Sequence, residues 1–191
     1  MNNQTEYENQ VFKKEDFEGL DLKHRIFTHV TFENCDFTER DLTNVRFLGC
    51  KLLQCNLSLV KLDGCRLQNV EFENCKLVGV NFTVCDKMFL KLKFKKCLIE
   101  TSNFSDLDLK GTIFHTCRIR DAWFTNANLS NASFEGADLK GSLFHNTNLS
   151  LANFRGAINY SIDPTTNKLM KAQFSKPEAL SLLDHFNIVI E

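Results

Sequence analysis

Written in fives, residues 26–75 read IFTHV TFENC DFTER DLTNV RFLGC KLLQC NLSLV KLDGC RLQNV EFENC. The second place of every group is Phe or Leu, and the fifth is Val or Cys except at Arg40. Outward from this stretch, the large residue recurs from Phe12 to Phe82 and resumes, after a shift of two residues, at Phe89 and Phe94. It then runs through Ile99, Phe104, Leu109 and Phe114 to Phe154. A period of five advances an α-helix by about 500° and reverses the facing of a strand, so it suits neither. The chain must turn between groups. Residues two apart in extended backbone share a face, so the fifth place of one group and the second of the next point inward, while the first place points to solvent. All eight glycines occupy the fourth place, where a corner with positive φ strains most side chains.

The cysteines count the groups per coil. Cys35, Cys55 and Cys75 repeat every 20 residues, Cys97 follows after 22 and Cys117 after 20, so four groups make one turn. This stacks Phe12, Phe32, Leu52, Phe72, Phe94, Phe114, Phe134 and Phe154 in one column at the ladder spacing of about 4.8 Å. Flat rings and Leu in such columns are expected to fill the core without voids. The two extra residues near 86–88 are expected to bulge at a corner and leave the columns in register.

The resulting expectation is an all-β, right-handed quadrilateral β-helix of about seven coils. Residues 1–9 form an N-terminal extension, 10–158 the repeat array, and 159–191 a cap and dimerisation segment. Ser175-Lys176-Pro177-Glu178 reads as a capping box. EALSLLDHF then forms a short amphipathic α-helix with Leu180, Leu183 and Phe186 along one side, followed by a terminal strand at Ile188, Val189 and Ile190. Leu182 and that aliphatic run have no evident cover within one chain, so Leu182, Ile188, Val189 and Ile190 are the self-association candidates. At the N-terminal mouth, Gln10, Glu15, Leu20, Arg25 and Arg40 fill inward places, and either Glu15 pairs with Arg25 or Arg40 or the first coil is open to water.

The 191 residues carry a net charge of −1 and a pI near 6.5, which excludes a globally basic nucleic-acid binder. The opening MNNQTEYENQ has neither the basic nor the apolar region of an export signal, and no apolar run approaches the roughly 18 residues of a membrane span. The eight cysteines therefore read as reduced thiols, and the expected location is cytoplasmic, with no membrane and no direct nucleic-acid binding. Catalysis needs converging groups, yet the array sends its Ser, Asp and His outward on separate faces. There is no C-x-x-C pair and no Gly-rich phosphate loop. The chain is expected to be no enzyme and to hold no catalytic residue, metal or cofactor.

The copies Ala127-Asn128-Leu129, Ala137-Asp138-Leu139 and Ala152-Asn153-Phe154 resemble the A(D/N)LXX motif of the pentapeptide-repeat family, over about residues 10–158. The opening DFEGLDL, the recurrent F-x-x-C-x-F and the helix before an aliphatic terminus resemble the quinolone-resistance (Qnr) and microcin-immunity branch. That resemblance implies a homodimer through the C-terminus. It also implies a rod that mimics duplex DNA on a type II topoisomerase, DNA gyrase or topoisomerase IV, and so gives antibiotic resistance or protection from a toxin. The alternative is a generic protein-interaction scaffold with another partner. Asp16, Asp21, Asp36 and Asp41 hold outward places on two adjacent faces and form a candidate acidic patch. Lys87, Lys91, Lys93, Lys95 and Lys96 make the middle of the rod basic. Trp123 and Leu143, 20 residues apart in outward places, form a candidate apolar patch, either a partner site or the seat of the C-terminal segment.

Overall fold

A computed structural model describes residues 5–14, 19, 21–186 and 188. Glu15, Asp16, Val189 and Ile190 lie outside the described residues, and so does the expected pairing of Glu15. The chain winds as a right-handed quadrilateral β-helix with four groups of five to the coil. Face A carries the parallel strands Glu6–Glu8, Ile26–Thr28, Arg46–Leu48 and Arg66–Gln68. Face B carries six, Val11–Lys13, Thr31–Glu33, Lys51–Leu53, Val70–Glu73, Leu92–Lys95 and Ile113–His115. Lys76–Val78, Leu98–Glu100 and Arg118–Arg120 line face C. Face D is joined by single bridges such as Asp41 to Lys61 and Trp123 to Leu143. The register is the one the cysteines predict: Phe32 pairs with Leu52 at a spacing of 20 and Phe72 with Phe94 at 22.

Two opposed columns of rings dominate the second half of the core. Phe94 stacks on Phe114 at 5.1 Å and Phe114 on Phe134 at 4.9 Å on face B. Across the square, Phe104 stacks on Phe124 at 5.1 Å. The two columns meet edge to face, as between Phe104 and Phe114 at 5.9 Å and 87°, which sets the positive rim of one ring against the negative face of the other. Faces A and C supply Leu or Ile between them, including Ile99, Leu109, Ile119 and Leu129. Where Leu52, Leu57, Leu62 and Leu67 fill successive places with no ring among them, a void of about 10 Å³ remains, contrary to the expectation of a void-free core. The shorter, branched side chains do not meet across the coil as rings do.

The corners hold the coil together. All eight glycines have positive φ there, and the remaining corners use residues such as Asn34, Asn44, Asn126 and Asn131, which tolerate that region. Corner N–H groups donate to the next coil, for example His29 to the Leu48 carbonyl and Gly49 to the Gln68 carbonyl, both at 2.8 Å. The inward thiols donate to the coil before, Cys50 to the Phe27 carbonyl at 3.1 Å and Cys75 to that of Leu52 at 3.2 Å. Burial pushes the Cys50 thiol up to about 11 and that of Cys85 to about 12, whereas a hydrogen bond with Cys97 lowers that of Cys117.

The structure departs from the sequence reading at both ends and at the insertion. Tyr7 adds a place at the start of face A, stacked on Phe27 at 5.2 Å, and Arg25 donates to its hydroxyl at 2.9 Å and to the Asp21 carbonyl. At the other end the ladder runs past residue 158: Ile162 bridges to Phe144, Lys168 to Asn148, and Gln173–Phe174 pairs with Asn153–Phe154. About eight coils result, because Ala157, Ile162 and Leu169 keep the inward chemistry after the motif itself has decayed. Phe89 is not a core centre. It is 60% exposed at φ 63, and the columns resume at Leu92 and Phe94, so the two extra residues displace a whole centre and not a corner alone.

Glu178–Phe186 is a 3-10 helix rather than the expected α-helix, and the capping box does not close. Ser175 Oγ instead accepts from Gly156 N–H at 3.1 Å, and Glu178 accepts from Asn159 N–H at 2.5 Å, tying the helix to the coil beneath. With three residues per turn, Leu180, Leu183 and Phe186 eclipse in one row. That row faces away from the rod, with Leu180 51% and Phe186 47% exposed, and Leu182 packs against the core instead. Leu182, expected to lack cover within one chain, is thus partly covered by its own rod.

Candidate functional site

Why the first place of each group is so often Asp or Asn is visible on faces C and D. Asp41 Oδ1 accepts from Thr43 N–H at 3.0 Å and from Thr43 Oγ1 at 2.6 Å, and Asp36 does the same with Thr38. Asn56, Asn81 and Asn128 accept in the same way from the residue two further on. These carboxylates and amides therefore brace the corner in addition to facing solvent. Lys23 bonds Asp41 at 2.8 Å and, with Thr43, holds its carboxyl below the usual range, while Thr38 does so for Asp36. Both groups stay ionised through the neutral range.

The structure separates the charges that look contradictory along the sequence. Face D and its two corners present Asp21, Glu39, Asp41, Asp63, Asp106 and Asp121 outward, against Lys23, Lys61 and Lys87, whose Nζ reaches the Asp106 carbonyl at 3.5 Å. Lys91, Lys93 and Lys95 lie on face B, across the rod, with Lys96 at its far corner. Lys93 and Lys95 both pair with Glu71, at 3.3 and 2.7 Å. Of the sequence candidates, Asp21 and Asp41 fall on face D and Asp36 on face C, where it bridges to Asn56; Asp16 lies outside the described residues. Asp63, Asp106 and Asp121 occupy third and fourth places, outside the first-place pattern that marks Asp36 and Asp41 in the sequence.

Trp123 and Leu143 also sit on face D, in a bridged column running from Asn81 through Asn103. They are 40% and 54% exposed, and no described residue covers them. Along the neighbouring corner an amide ladder runs upward, Asn126 donating to Asp106 at 3.0 Å and Asn146 to Asn126 at 2.9 Å. Face D is thus an acidic, amide-rich strip with one large apolar anchor near its C-terminal end. Ile188 is 54% exposed and, with the row from Leu180 to Phe186, makes a second apolar surface at the end of the rod.

Among the described residues, no three His, Cys, Asp or Glu converge as metal ligands, and no helix is long and apolar enough to cross a membrane. His115 Nε2 meets Ser133 Oγ at 2.9 Å and Glu135 Oε2 at 3.8 Å, so hydroxyl and carboxylate share one ring nitrogen, and Glu135 does not orient the base through the other nitrogen as in a triad.

No curated protein sequence matches the chain. Among solved structures it is similar to full-length QnrB1, a plasmid-mediated fluoroquinolone resistance protein, at 14% identity over 96% of this chain and all of that one, with a TM-score of 0.45. It is similar to HetL, a pentapeptide-repeat protein involved in heterocyst differentiation regulation from Nostoc sp. strain PCC 7120. There the identity is 20% over 90% of this chain and 84% of that one, with a TM-score of 0.42. It also resembles the pentapeptide-repeat protein Rfr23 of Cyanothece 51142, at 19% identity over 66% and 88%, with a TM-score of 0.28. The pentapeptide repeat region model matches residues 25–87 and 87–154, the same stretch whose ladder builds the rod, and the chain belongs to the pentapeptide-repeat family.

Proposed function

We propose that the chain is a non-catalytic cytoplasmic protein that presents face D to a type II topoisomerase, DNA gyrase or topoisomerase IV, in place of duplex DNA. The observation that supports this reading is an excess of carboxylates: Asp21, Glu39, Asp41, Asp63, Asp106 and Asp121 on face D and its corners outnumber Lys23, Lys61 and Lys87 there, while Lys91, Lys93, Lys95 and Lys96 lie across the rod. About eight coils at ~4.8 Å give a rod of about 38 Å, the length of roughly eleven base-pair steps. Ionised Asp41 and its neighbours stand in for phosphates, and Trp123 supplies the buried anchor that such a contact needs. Two copies joined through Leu180, Leu183, Phe186 and Ile188 would double the length presented. The consequence is protection of the enzyme from a quinolone or a toxin.

The test is a gyrase supercoiling assay with the purified full chain, with and without a quinolone. Relief of drug inhibition at stoichiometric amounts is expected. No effect at stoichiometric excess would remove the reading. A second reading, an interaction scaffold for a different partner, is favoured by the Trp123–Leu143 pair, which has no counterpart in a phosphate backbone. That reading predicts that Trp123→Ala abolishes binding to a protein other than a topoisomerase.

A further inference from the structure

The insertion leaves a gap in an otherwise continuous corner. At most corners a Cβ added to glycine meets the residue one coil before it, as at Gly49 against His29, Gly79 against Leu59 and Gly136 against Thr116. At Gly111, with φ +71, it would meet nothing within 4 Å: the register places Lys91 one coil before it, and Lys91 does not turn with the positive φ of the other corners. Lys91 N–H, which the corner pattern would aim at the coil after, donates instead to the Leu67 carbonyl of the coil before, at 3.1 Å. The result is a notch of about 500 Å³ on the edge of face B, lined by Asn69, Glu71, Lys91, Lys93 and Lys110 around Gly111.

From this geometry we infer that the notch over Gly111 binds a small phosphorylated molecule. Lys91, Lys93 and Lys110 reach it from two successive coils, and only Glu71 opposes them, already shared between Lys93 and Lys95. Ammonium groups in excess of carboxylates around a concavity suit a multiply charged anion, and the Asn69 amide adds a donor for its oxygens. The size matches that of small-molecule sites, and the missing side chain at Gly111 gives the ligand access to the floor. This site lies across the rod from face D and is independent of the topoisomerase reading.

Titration calorimetry of the full chain with pyrophosphate, and separately with inorganic phosphate, tests the proposal at low salt. Saturable binding of one pyrophosphate per chain is expected. Lys91→Gln and Lys110→Gln should each weaken it by about tenfold. Glu71→Gln should strengthen it, because Lys93 and Lys95 are released. Gly111→Asn should close the notch with no change in charge, and because other corners already carry Asn at positive φ, the variant should fold with its melting temperature kept. Absence of saturable binding at millimolar pyrophosphate would overturn the proposal. So would equal losses from Lys140→Gln, which lies on face C, or unchanged binding by Gly111→Asn. A short DNA duplex that binds through the same lysines more tightly than pyrophosphate would replace the small molecule with a phosphodiester chain and overturn the assignment as stated.

Discussion

Phe114→Ala probes the ring columns at their most constrained point. Phe114 is fully buried, stacked on Phe94 at 5.1 Å and on Phe134 at 4.9 Å, with its edges toward Phe104 and Phe124 at 5.9 Å. A buried Phe→Ala change costs about 3–5 kcal/mol, the larger values applying where the site cannot collapse. Here the walls are fixed by the ladder, including the bond from Phe114 N–H to the Ser133 carbonyl at 2.7 Å, and ring pairs add about 0.5–1.5 kcal/mol each beyond burial. The expected loss is therefore about 4–5 kcal/mol. Phe114→Leu should cost only about 1–1.5 kcal/mol, since Leu52 already occupies the same column. Phe174→Ala, in the half-buried last coil, should cost about 1–2 kcal/mol. Urea unfolding followed by circular dichroism and by Trp123 fluorescence measures all three, with any loss of coincidence marking a rod that has split into two cooperative blocks. A Phe114→Ala loss below about 2 kcal/mol, or a Phe174→Ala loss equal to it, would refute the reasoning.

Three further outcomes are expected. Thr38 holds Asp36, Lys23 holds Asp41, Lys95 holds Glu71 and the Met88 N–H holds Asp86 below the ordinary carboxylate range. Their stabilisation is thus complete above about pH 5 and is lost as pH falls through their folded values, so the urea midpoint should drop between about pH 4 and pH 2, and a flat profile would count against these contacts. The eight thiols, all buried, should react with a disulfide reagent at pH 8 only on unfolding; fast labelling of even one in the native chain would show that the core opens. Leu180→Asp with Phe186→Asp should halve the mass seen by light scattering without lowering the melting temperature of the rod, and an unchanged mass would mean that the row does not join two copies.

The coil was legible because every place in the group of five has its own chemistry: Phe or Leu for the centre, Cys, Val or Ala for the inward neighbour, Gly or Asn for the corner. The register followed from Cys35, Cys55 and Cys75 alone. What failed to show is physical too. Phe89 matches the motif, but two extra residues change which backbone faces inward, and a side chain cannot reveal that without its neighbours one coil away. Tyr7 and Phe174 belong to terminal coils whose other places have drifted. The row from Leu180 to Phe186 is legible in the sequence, but its direction depends on the 3-10 period of three in place of the α-helical 3.6. Asp21, Asp41, Trp123 and Leu143 of face D are legible from their first places, whereas Asp63, Asp106 and Asp121 sit at third and fourth places scattered along the sequence and join them only when the coil is closed.

Displacement of a labelled DNA duplex from gyrase by the full chain, followed by fluorescence anisotropy, tests the role of face D most directly. The account predicts competitive displacement near one rod per duplex site. Trp123→Ala should weaken it by at least about tenfold and Asp63→Asn to a lesser degree, while Lys51→Gln on face B leaves it unchanged. A duplex that stays bound at stoichiometric excess of the chain, or an equal loss from the face B variant, would contradict it.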